Sequence, residues 1–303
     1  MRLIALGHIV LDHLLLVDHY PAMDSKVTAR RGRTCTGGPA ARAAITAAAL
    51  GAEVHFAGCV GDDEAGQRIR RDFEAAGVDL DGLQVCAGQA TPRASIWVEA
   101  RHGKRTVVLD RGGLPDYPAT LLERLPWGEG CLLLDGKEPI AREAARRARA
   151  GGMTVLLDLG GPREEIAPLV AAADVVAVSK AFVMSRHPGL DLLKAAAQLA
   201  EAGPRLAIIT MGAGGAIVCE RGGEPGWVPA WSPGTVVDTT GAGDAYHGTL
   251  AWALLKRYPL RQALACAAVA GGLACRDLGG EISGLDAELL LREAEAVAEQ
   301  FGG

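Results

Sequence analysis

Residues 234–250 read G-T-V-V-D-T-T-G-A-G-D-A-Y-H-G-T-L. The two valines predict the end of a buried strand, and apolar side chains recur at helical spacing beyond Asp244. The small residues 241–243 therefore lie where a strand leads into a helix N-terminus, and the free N–H groups of such a terminus bind anions well. Asp244 is either a cap of that helix or a catalytic group, and this stretch alone does not decide between the two.

Bulk composition excludes several classes of protein. The chain has 303 residues, of which 49% are hydrophobic, so it can bury a large core. Its net charge is −5 and it has no basic tail or stripe, which argues against a nucleic-acid partner. Seven cysteines are scattered singly without a CxxC pair, which is typical of reduced thiols and predicts a cytoplasmic location. No stretch approaches the ~20 apolar residues that span a bilayer, so we expect no membrane partner.

Short apolar segments alternate with alanine-rich segments of helical period along the whole chain. Predicted strands cover residues 3–6, 54–59, 131–134, 154–157, 175–178, 206–210 and 216–219. Predicted helices cover residues 40–50, 65–76, 140–150, 190–202, 245–255, 260–274 and 287–300. Strands joined through helices predict an α/β fold with a central, mostly parallel sheet flanked by helices. Since no long linker divides the chain, we expect a single domain over residues 1–303.

Two segments, about 12–34 and 91–110, interrupt this alternation because they look extended but only half apolar. The second contains two alternating runs around His102-Gly103, which predicts a β-hairpin. Strands with one polar face do not suit the middle of a parallel sheet. We expect them to form a small separate β-sheet that serves as a lid or a dimer contact; the simpler alternative is that they are edge excursions.

Four motifs in order resemble those of the ribokinase, or PfkB, family of small-molecule kinases. They are G-H-I-V-L-D at 7–12, T-G-G-P-A-A-R-A-A-I-T-A-A-A-L-G at 36–51, G-C-V-G-D-D-E-A-G at 58–66 and D-T-T-G-A-G-D at 238–244. The resemblance covers essentially the whole chain. It implies a ribokinase-like fold, phosphoryl transfer from ATP with Mg²⁺, and a monovalent cation as a further candidate cofactor.

The resemblance also implies roles for individual residues. Asp244 matches the catalytic base that takes the proton of a sugar hydroxyl, and the N–H groups of Gly241, Ala242 and Gly243 form the anion cradle. The positions that match the nucleotide-binding residues are Thr210, Gly212, Gly215, Asp238 and Thr240. The adenine pocket is expected near Val236, Val269 and residues 275–280.

Six positions are candidates for binding the sugar: Asp12, Gly37, Gly38, Arg42, Asp110 and Lys137. We expect Asp12 to end the first strand, at the carboxyl edge where ligands bind in open α/β sheets. Arg42 and Lys137 raise the possibility of an anionic sugar, because a guanidinium can bind a sulfonate, phosphate or carboxylate bidentately. The alternative is that Arg42 pairs with Asp12 or Glu64 and that Lys137 is merely solvated.

Two positions depart from the pattern of the family. The usual Asn-x-x-Glu motif is missing, since Ser179 and Phe182 stand at its apparent positions, and Arg42 replaces an asparagine. We therefore expect no dedicated metal site: Mg²⁺ is held by nucleotide phosphates, water and other carboxylates. His247, one helical turn after Asp244, either borders the active site or packs in the core.

Two stretches of the sequence and the content of aromatic residues bear on the substrate. The stretches around residues 37–44 and 238–248 are most similar to those of sulfofructose kinases, which act on an anionic ketose, and aromatic residues that could stack a nucleoside base are few. A small sugar, either a ketose or an anionic sugar, is therefore the expected substrate, and a homodimer through the lid sheets is the expected assembly. The alternatives are a nucleoside kinase of the same family and a non-catalytic sugar-sensing protein.

Overall fold

The computed structural model describes residues 2–137, 139–160 and 166–301. Its main sheet has nine strands: β1 (Arg2–Leu6), β4 (Glu53–Gly61), β5 (Leu83–Cys86), β8 (Gly130–Leu134), β9 (Thr154–Leu159), β10 (Val175–Ser179), β11 (Leu206–Thr210), β12 (Ala216–Glu220) and β13 (Gly226–Val228). Their order is β13-β12-β11-β10-β9-β8-β1-β4-β5, and all neighbours pair in parallel except for β11-β12 and β12-β13. The predicted α/β fold with a central, mostly parallel sheet is confirmed.

The two half-polar segments form a second sheet, which we call the lid sheet. It contains β2 (Val10–Val17), β3 (Arg31–Gly37), β6 (Arg93–Glu99) and β7 (Lys104–Asp110), in the order β3-β2-β6-β7. β2 and β6 are parallel, and the other pairs are antiparallel. Leu14, Ile96 and Val98 pack on Leu278 in a small apolar cluster of their own, so one face of the lid sheet is covered by the main body.

Helices cover both faces of the main sheet. They are α1 (Pro39–Ala49), α2 (Glu64–Ala75), α3 (Ile140–Ala150), α4 (Ala167–Ala172), α5 (Lys180–Arg186), α6 (Leu192–Glu201), α7 (Ala242–Leu255), α8 (Leu260–Ala274) and α9 (Ala287–Glu299). Helix α7 is buried on almost every side, since it packs against α1, α8 and the main sheet. Among the described residues, no helix is long and apolar enough to cross a membrane.

The parallel strands bring polar residues to one edge of the main sheet. Asp135 follows β8, Asp158 lies near the end of β9, and Ser179 and Thr210 end β10 and β11. Because parallel strands end on the same side, these residues share the carboxyl edge, where ligands bind in open α/β sheets. The fold thus places a row of polar groups at one edge of the main sheet.

Two expectations about local structure are wrong. Val236 and Val237 do not end a strand: they lie in a loop that leads to α7, with the N–H of Val237 bound to the carbonyl of Cys275 at 2.8 Å. The loop is held by neighbouring loops, so its two valines do not extend the main sheet. Asp12 does not end the first strand either, because β1 stops at Leu6 and Asp12 lies within β2 of the lid sheet.

Candidate active site

The turn before α7 presents unbonded N–H groups toward one point. Gly241 has φ 79°, a left-handed conformation that glycine adopts without strain, and a Cβ there would lie 2.6 Å from Nη1 of Arg42. Among the described residues, the N–H groups of Gly241, Gly243 and Asp244 have no hydrogen-bond acceptor, and the N–H of Ala242 reaches only Thr239 at 3.4 Å. The geometry is that of an anion-binding helix N-terminus.

Asp244 lies in the first turn of α7 and is largely buried. Burial raises the pKa of its carboxyl to about 6; Arg42 opposes that rise, the charge of Asp158 adds to it, and His247 and Arg105 lower it again. The carboxylate is therefore mostly ionised at neutral pH yet has a higher proton affinity than a solvated aspartate. Such a pKa, close to the working pH, suits a general base.

Arg42 connects three parts of the site from its position in α1. Its Nη2 lies 3.1 Å from Oδ2 of Asp12 on the lid sheet, its Nη1 donates to the carbonyl of Gly279, and its Nε lies 4.0 Å from Oδ2 of Asp244. Both Asp12 and Arg42 are buried. The sequence left open whether Arg42 binds an anionic sugar or pairs with a local carboxylate. In the structure it pairs with Asp12, so the guanidinium needs no external anion to neutralise its charge.

Gly37 and Gly38 leave space for neighbouring groups. A Cβ on Gly37 would lie 2.1 Å from Oδ2 of Asp12, so a side chain there would displace that carboxylate. Gly38 precedes the N-terminus of α1 with φ 98°, and a Cβ there would lie 2.4 Å from the carbonyl oxygen of His8. Both glycines thus allow the lid sheet, β1 and α1 to meet closely at the site.

Asp238 and Thr240 hold the turn in place. One carboxylate oxygen of Asp238 accepts from the N–H and the hydroxyl of Thr240, at 2.8 and 2.7 Å, and the other accepts from the N–H of Gly279 at 2.8 Å. Because Asp238 is fully buried, these bonds offset the cost of burying its charge. The two residues fix the anion cradle against the 279–280 loop; direct contact with a nucleotide stays a prediction.

The tip of the lid hairpin contacts this same turn, a feature that the sequence analysis missed. The N–H and the hydroxyl of Thr239 both donate to the carbonyl of Gly103, at 3.1 and 3.0 Å. Arg105 on β7 donates from Nη1 to the Thr239 hydroxyl at 3.0 Å. The lid sheet is therefore docked beside the anion cradle, and it brings a cation near Asp244.

Lys137 lies just beyond β8, at the carboxyl edge of the main sheet. Its Nζ stands 5.0 Å from the centre of the Tyr117 ring, and it makes no ion pair within the part of the chain that the structure describes. Nearby, Asp135 is buried and accepts from Nδ1 of His8 at 3.0 Å. Lys137 is thus half-buried, with a charge that described carboxylates do not neutralise.

The remaining candidates lie farther from this cluster. Asp110 ends β7, is exposed, and accepts from the N–H of Gly112 at 3.0 Å. Thr210, Gly212 and Gly215 form the turn between β11 and β12, four strands from β1 at the same sheet edge. A Cβ on Gly215 would lie 2.1 Å from the carbonyl oxygen of Val228, so that turn requires glycine.

Metal ligands do not cluster in the described part of the chain. No group of three or more His, Cys, Asp or Glu side chains there could hold a metal ion. At the position of the missing Asn-x-x-Glu motif, the hydroxyl of Ser179 caps α5 by accepting from the N–H of Phe182 at 3.0 Å, and Phe182 is buried. Magnesium at this site would therefore depend on nucleotide phosphates and water for most of its ligands.

A cavity of about 610 Å³ adjoins the site without including its base. It lies between β3, α1, α2 and residues 279–285, and it touches Arg42 and Gly241. Neither Asp244 nor Lys137 lines it.

Comparisons with known proteins agree with this geometry. The family described as pfkB family carbohydrate kinase matches residues 2–287. The ribokinase of Haemophilus influenzae is 26% identical over 291 residues, which cover 93% of this chain and 94% of that protein. The ketohexokinase of Mus musculus is 26% identical over 290 residues, covering 90% and 96%.

A solved structure extends the likeness to three dimensions. A protein of Agrobacterium tumefaciens, provisionally named a ribokinase, matches with a TM-score of 0.86 and 27% identity over 99% of each chain. The family match covers nearly all of the sequence that carries the fold and the site. The chain therefore belongs to the pfkB family of carbohydrate kinases, and it is a phosphotransferase.

Proposed function

We propose that this protein is an ATP-dependent kinase that phosphorylates a hydroxyl of a small sugar, either a ketose or an anionic sugar. The observation that carries the proposal is the arrangement around Asp244: a largely buried carboxylate whose pKa is raised to about 6, 4.0 Å from Arg42 and next to N–H groups that have no acceptor among the described residues. Phosphoryl transfer needs a base for the acceptor, a cradle for anionic oxygens and nearby positive charge.

In the proposed reaction, each of the groups around Asp244 has one role. The acceptor hydroxyl attacks the γ-phosphorus, its proton passes to Asp244, and the bond between the γ-phosphorus and the β,γ-bridging oxygen breaks to release ADP. The N–H groups of Gly241, Ala242 and Gly243 stabilise the charge on the transferring group. Mg²⁺ held by the nucleotide phosphates would supply further positive charge to neutralise part of it. Docking of the lid sheet excludes water, which would otherwise compete as the acceptor.

The class of sugar is inferred from the balance of charges. Arg42 is already paired with Asp12, whereas Lys137 makes no ion pair within the described residues and is therefore the cation that we assign to an anionic substituent. Lys137 and Asp135 follow β8 at the carboxyl edge of the main sheet, and we infer that a sugar whose hydroxyl reaches Asp244 extends toward them. A sulfonate, phosphate or carboxylate on the far end of a ketose would satisfy the ammonium.

The direct test of the base is Asp244→Asn, which keeps the shape of the side chain but removes the proton acceptor. Loss of a general base costs roughly 10²- to 10⁴-fold in rate. We expect kcat to fall by that much while nucleotide affinity, measured by calorimetry, stays close to that of the unmodified protein. Nearly full turnover by the variant, with nucleotide binding intact, would remove Asp244 from the mechanism.

The acceptor is identified by a screen of ATP consumption. The panel contains ketoses, sulfonated and phosphorylated sugars, sugar acids, ribose and nucleosides, each with Mg²⁺ and with or without K⁺. We expect the fastest turnover with a ketose or an anionic sugar. Preference for a nucleoside would identify a nucleoside kinase instead, and sugar binding without ATP consumption would indicate a sensing protein. The K⁺ arm tests the monovalent cation.

We propose also that two copies associate through their lid sheets. Strand β7 is an edge strand of the lid sheet, and Val107, Val108 and Leu109 on it are exposed. An edge strand that carries apolar side chains is a template for pairing with another chain. A second copy of the lid sheet is the occupant that would cover both its backbone groups and its apolar side chains.

A further inference from the structure

Helix α7 contains a buried ion pair that the proposed reaction does not use. Nδ1 of His247 lies 2.8 Å from Oδ2 of Asp158 on β9. Both side chains are at least nine-tenths buried, with exposed fractions of 5% and 3%. Within the described part of the chain, neither ring nitrogen of His247 has a hydrogen-bond partner of regular geometry, so Nδ1 and Asp158 are at ion-pair distance without an aligned hydrogen bond. A carboxylate and a titratable ring have thus been placed next to each other in the interior.

Such a pair contributes little to stability. Desolvation of two buried charges usually offsets their mutual attraction, and apolar residues of the same volume would often be as stable. An imidazole nitrogen left without a partner adds a further cost. A contribution to stability therefore does not explain why these two residues lie here. Their position next to Asp244 suggests a role in the site instead.

The pair lies directly behind the proposed base. His247 follows Asp244 by three residues on the same helix, so the two side chains share a face and are neighbours. The ring leans toward the first turn of α7, since its Cε1 lies 4.0 Å from where a Cβ of Gly243 would stand. Asp158 reaches the same place from the carboxyl end of β9. The base and the pair form one buried group of charges.

Asp244 faces charges from four other sources. Arg42 on α1 and Arg105 on β7 are cationic, Asp158 on β9 is anionic, and His247 lies on its own helix. Burial lowers the pKa of His247, but the charge of Asp158 and its hydrogen bonding raise it by more, so the pKa is above its usual value. When the ring is protonated, its charge offsets the repulsion that Asp158 alone would exert on Asp244.

We propose that His247 and Asp158 act as a positioning pair for the base, in which the imidazolium held by Asp158 keeps the buried Asp244 carboxylate ionised and ready to accept the proton. This inference rests on the proposed role of Asp244. It assigns the pair no contact with the substrate: its effect is on the pH at which the base becomes available.

The test is the acid limb of the pH profile of kcat/KM, measured with the fastest acceptor of the screen above. His247→Gln removes the cation but leaves Asp158 charged, so Asp244 becomes harder to ionise. We expect the acid limb to move to higher pH by about one unit. At pH values below the limb, kcat/KM should then fall about tenfold, and at pH values above it kcat/KM should change little. Adding Asp158→Asn to this variant removes the repelling charge, and the limb should return toward its original position.

Tyr246→Phe is the matched control. Tyr246 precedes His247 on α7, and its buried hydroxyl has no partner among the described residues, so its removal should leave the limb in place. An unmoved limb in His247→Gln, or the same displacement in the double variant, would overturn the proposal. If Asp244→Asn keeps its activity, the proposed base is wrong instead, so the two failures are distinguishable.

A second measurement does not depend on activity or on the single variant folding. Nitrogen-15 NMR of the histidine rings reports their protonation, and the double variant identifies the His247 signals by their loss. We expect His247 to remain protonated at pH 7.5 in the unmodified protein. A neutral His247 ring at that pH would contradict the proposal whatever the kinetics show.

Discussion

At the scale of single residues, burial of Asp244 raises the proton affinity of its carboxylate and lowers the free energy of unfolding at neutral pH. Asp244 has a pKa raised from 3.8 to about 6, mainly by burial. The folded state therefore holds this proton more tightly than the unfolded chain does. As pH rises from about 4 to 6, the unfolded state loses its proton first, so this group lowers the free energy of unfolding across that window, and the loss persists at higher pH.

This sign gives the first prediction about Asp244→Asn, which is neutral at every pH. Because 21% of the side chain is accessible to solvent, which screens the charge, we expect the variant to be more stable at pH 7.5 by on the order of 1–2 kcal/mol. At pH 4 the gain should vanish. Thermal unfolding at both pH values measures the difference; an equal gain at the two would show that charge burial is not its cause.

The two cations of the proposed sugar site should behave differently. Lys137 has no described ion pair, whereas Arg42 is bound to Asp12 and to the carbonyl of Gly279. We expect Lys137→Ala to weaken turnover of an anionic ketose by roughly 10- to 100-fold relative to the neutral parent sugar, as for one lost charged hydrogen bond. Arg42→Ala leaves Asp12 and Asp244 without their cation, so it should impair both sugars equally.

The ratio of kcat/KM values for the two sugars is the measurement. Equal losses on both sugars with Lys137→Ala would mean that Lys137 does not read the charge of the substrate. A selective loss with Arg42→Ala would mean that its pairing with Asp12 opens when an anionic sugar binds.

At the scale of elements, the lid hairpin is joined to the anion cradle by few contacts. Gly103 accepts twice from Thr239, and Arg105 donates to the hydroxyl of the same threonine. A Cβ on Gly103 would lie 2.8 Å from Cγ1 of Val236, so the approach is close. Bound sugar and a docked lid should therefore stabilise each other, since both need the same closed arrangement.

Arg105→Ala should loosen this docking. We expect faster amide exchange in residues 97–108 in the presence of sugar, and an increase of several-fold in KM for the sugar, because part of the binding energy is then spent on closing the lid. Lys104→Ala, a neighbouring exposed position on β7, is the control and should match the unmodified protein. Exchange in 97–108 that ignores both the sugar and the substitution would rule out a mobile lid.

At the scale of the whole molecule, local patterns were sufficient for the framework. Segments 206–210, 140–150 and 260–274 coincide with β11, α3 and α8 because apolar periodicity and helix-ending residues are local signals. β5 and β13 were missed, since strands of four and three residues carry too little pattern. Residues 236–237 have the composition of a strand, but hydrogen bonds from distant loops determine their conformation.

The site was predictable only where its residues are contiguous. The small residues 241–243 and Asp244 could be proposed as cradle and base from one stretch, because all four lie on one turn. In the sequence, Asp12 lies 30 residues from Arg42, and Asp158 lies 89 residues from His247. Nothing local indicates which carboxylate a buried cation will meet, since the strand order of two sheets decides it.

The final prediction concerns assembly. The two strand orders end in four edge strands among the described residues, and β7 of the lid sheet and β5 of the main sheet are two of them. Val108 on β7 is 58% exposed and Val85 on β5 is 43% exposed, so substitution by glutamate is comparable at the two places.

A charge on an edge strand opposes its pairing with another chain. If copies join through their lid sheets, Val108→Glu should convert a dimer into a monomer in light scattering after gel filtration, and Val85→Glu should not. A monomeric unmodified protein, or a Val108→Glu variant that stays dimeric, would refute assembly through β7. Because the same strand carries Arg105, which contacts the turn beside the base, loss of the dimer should also raise KM for the sugar.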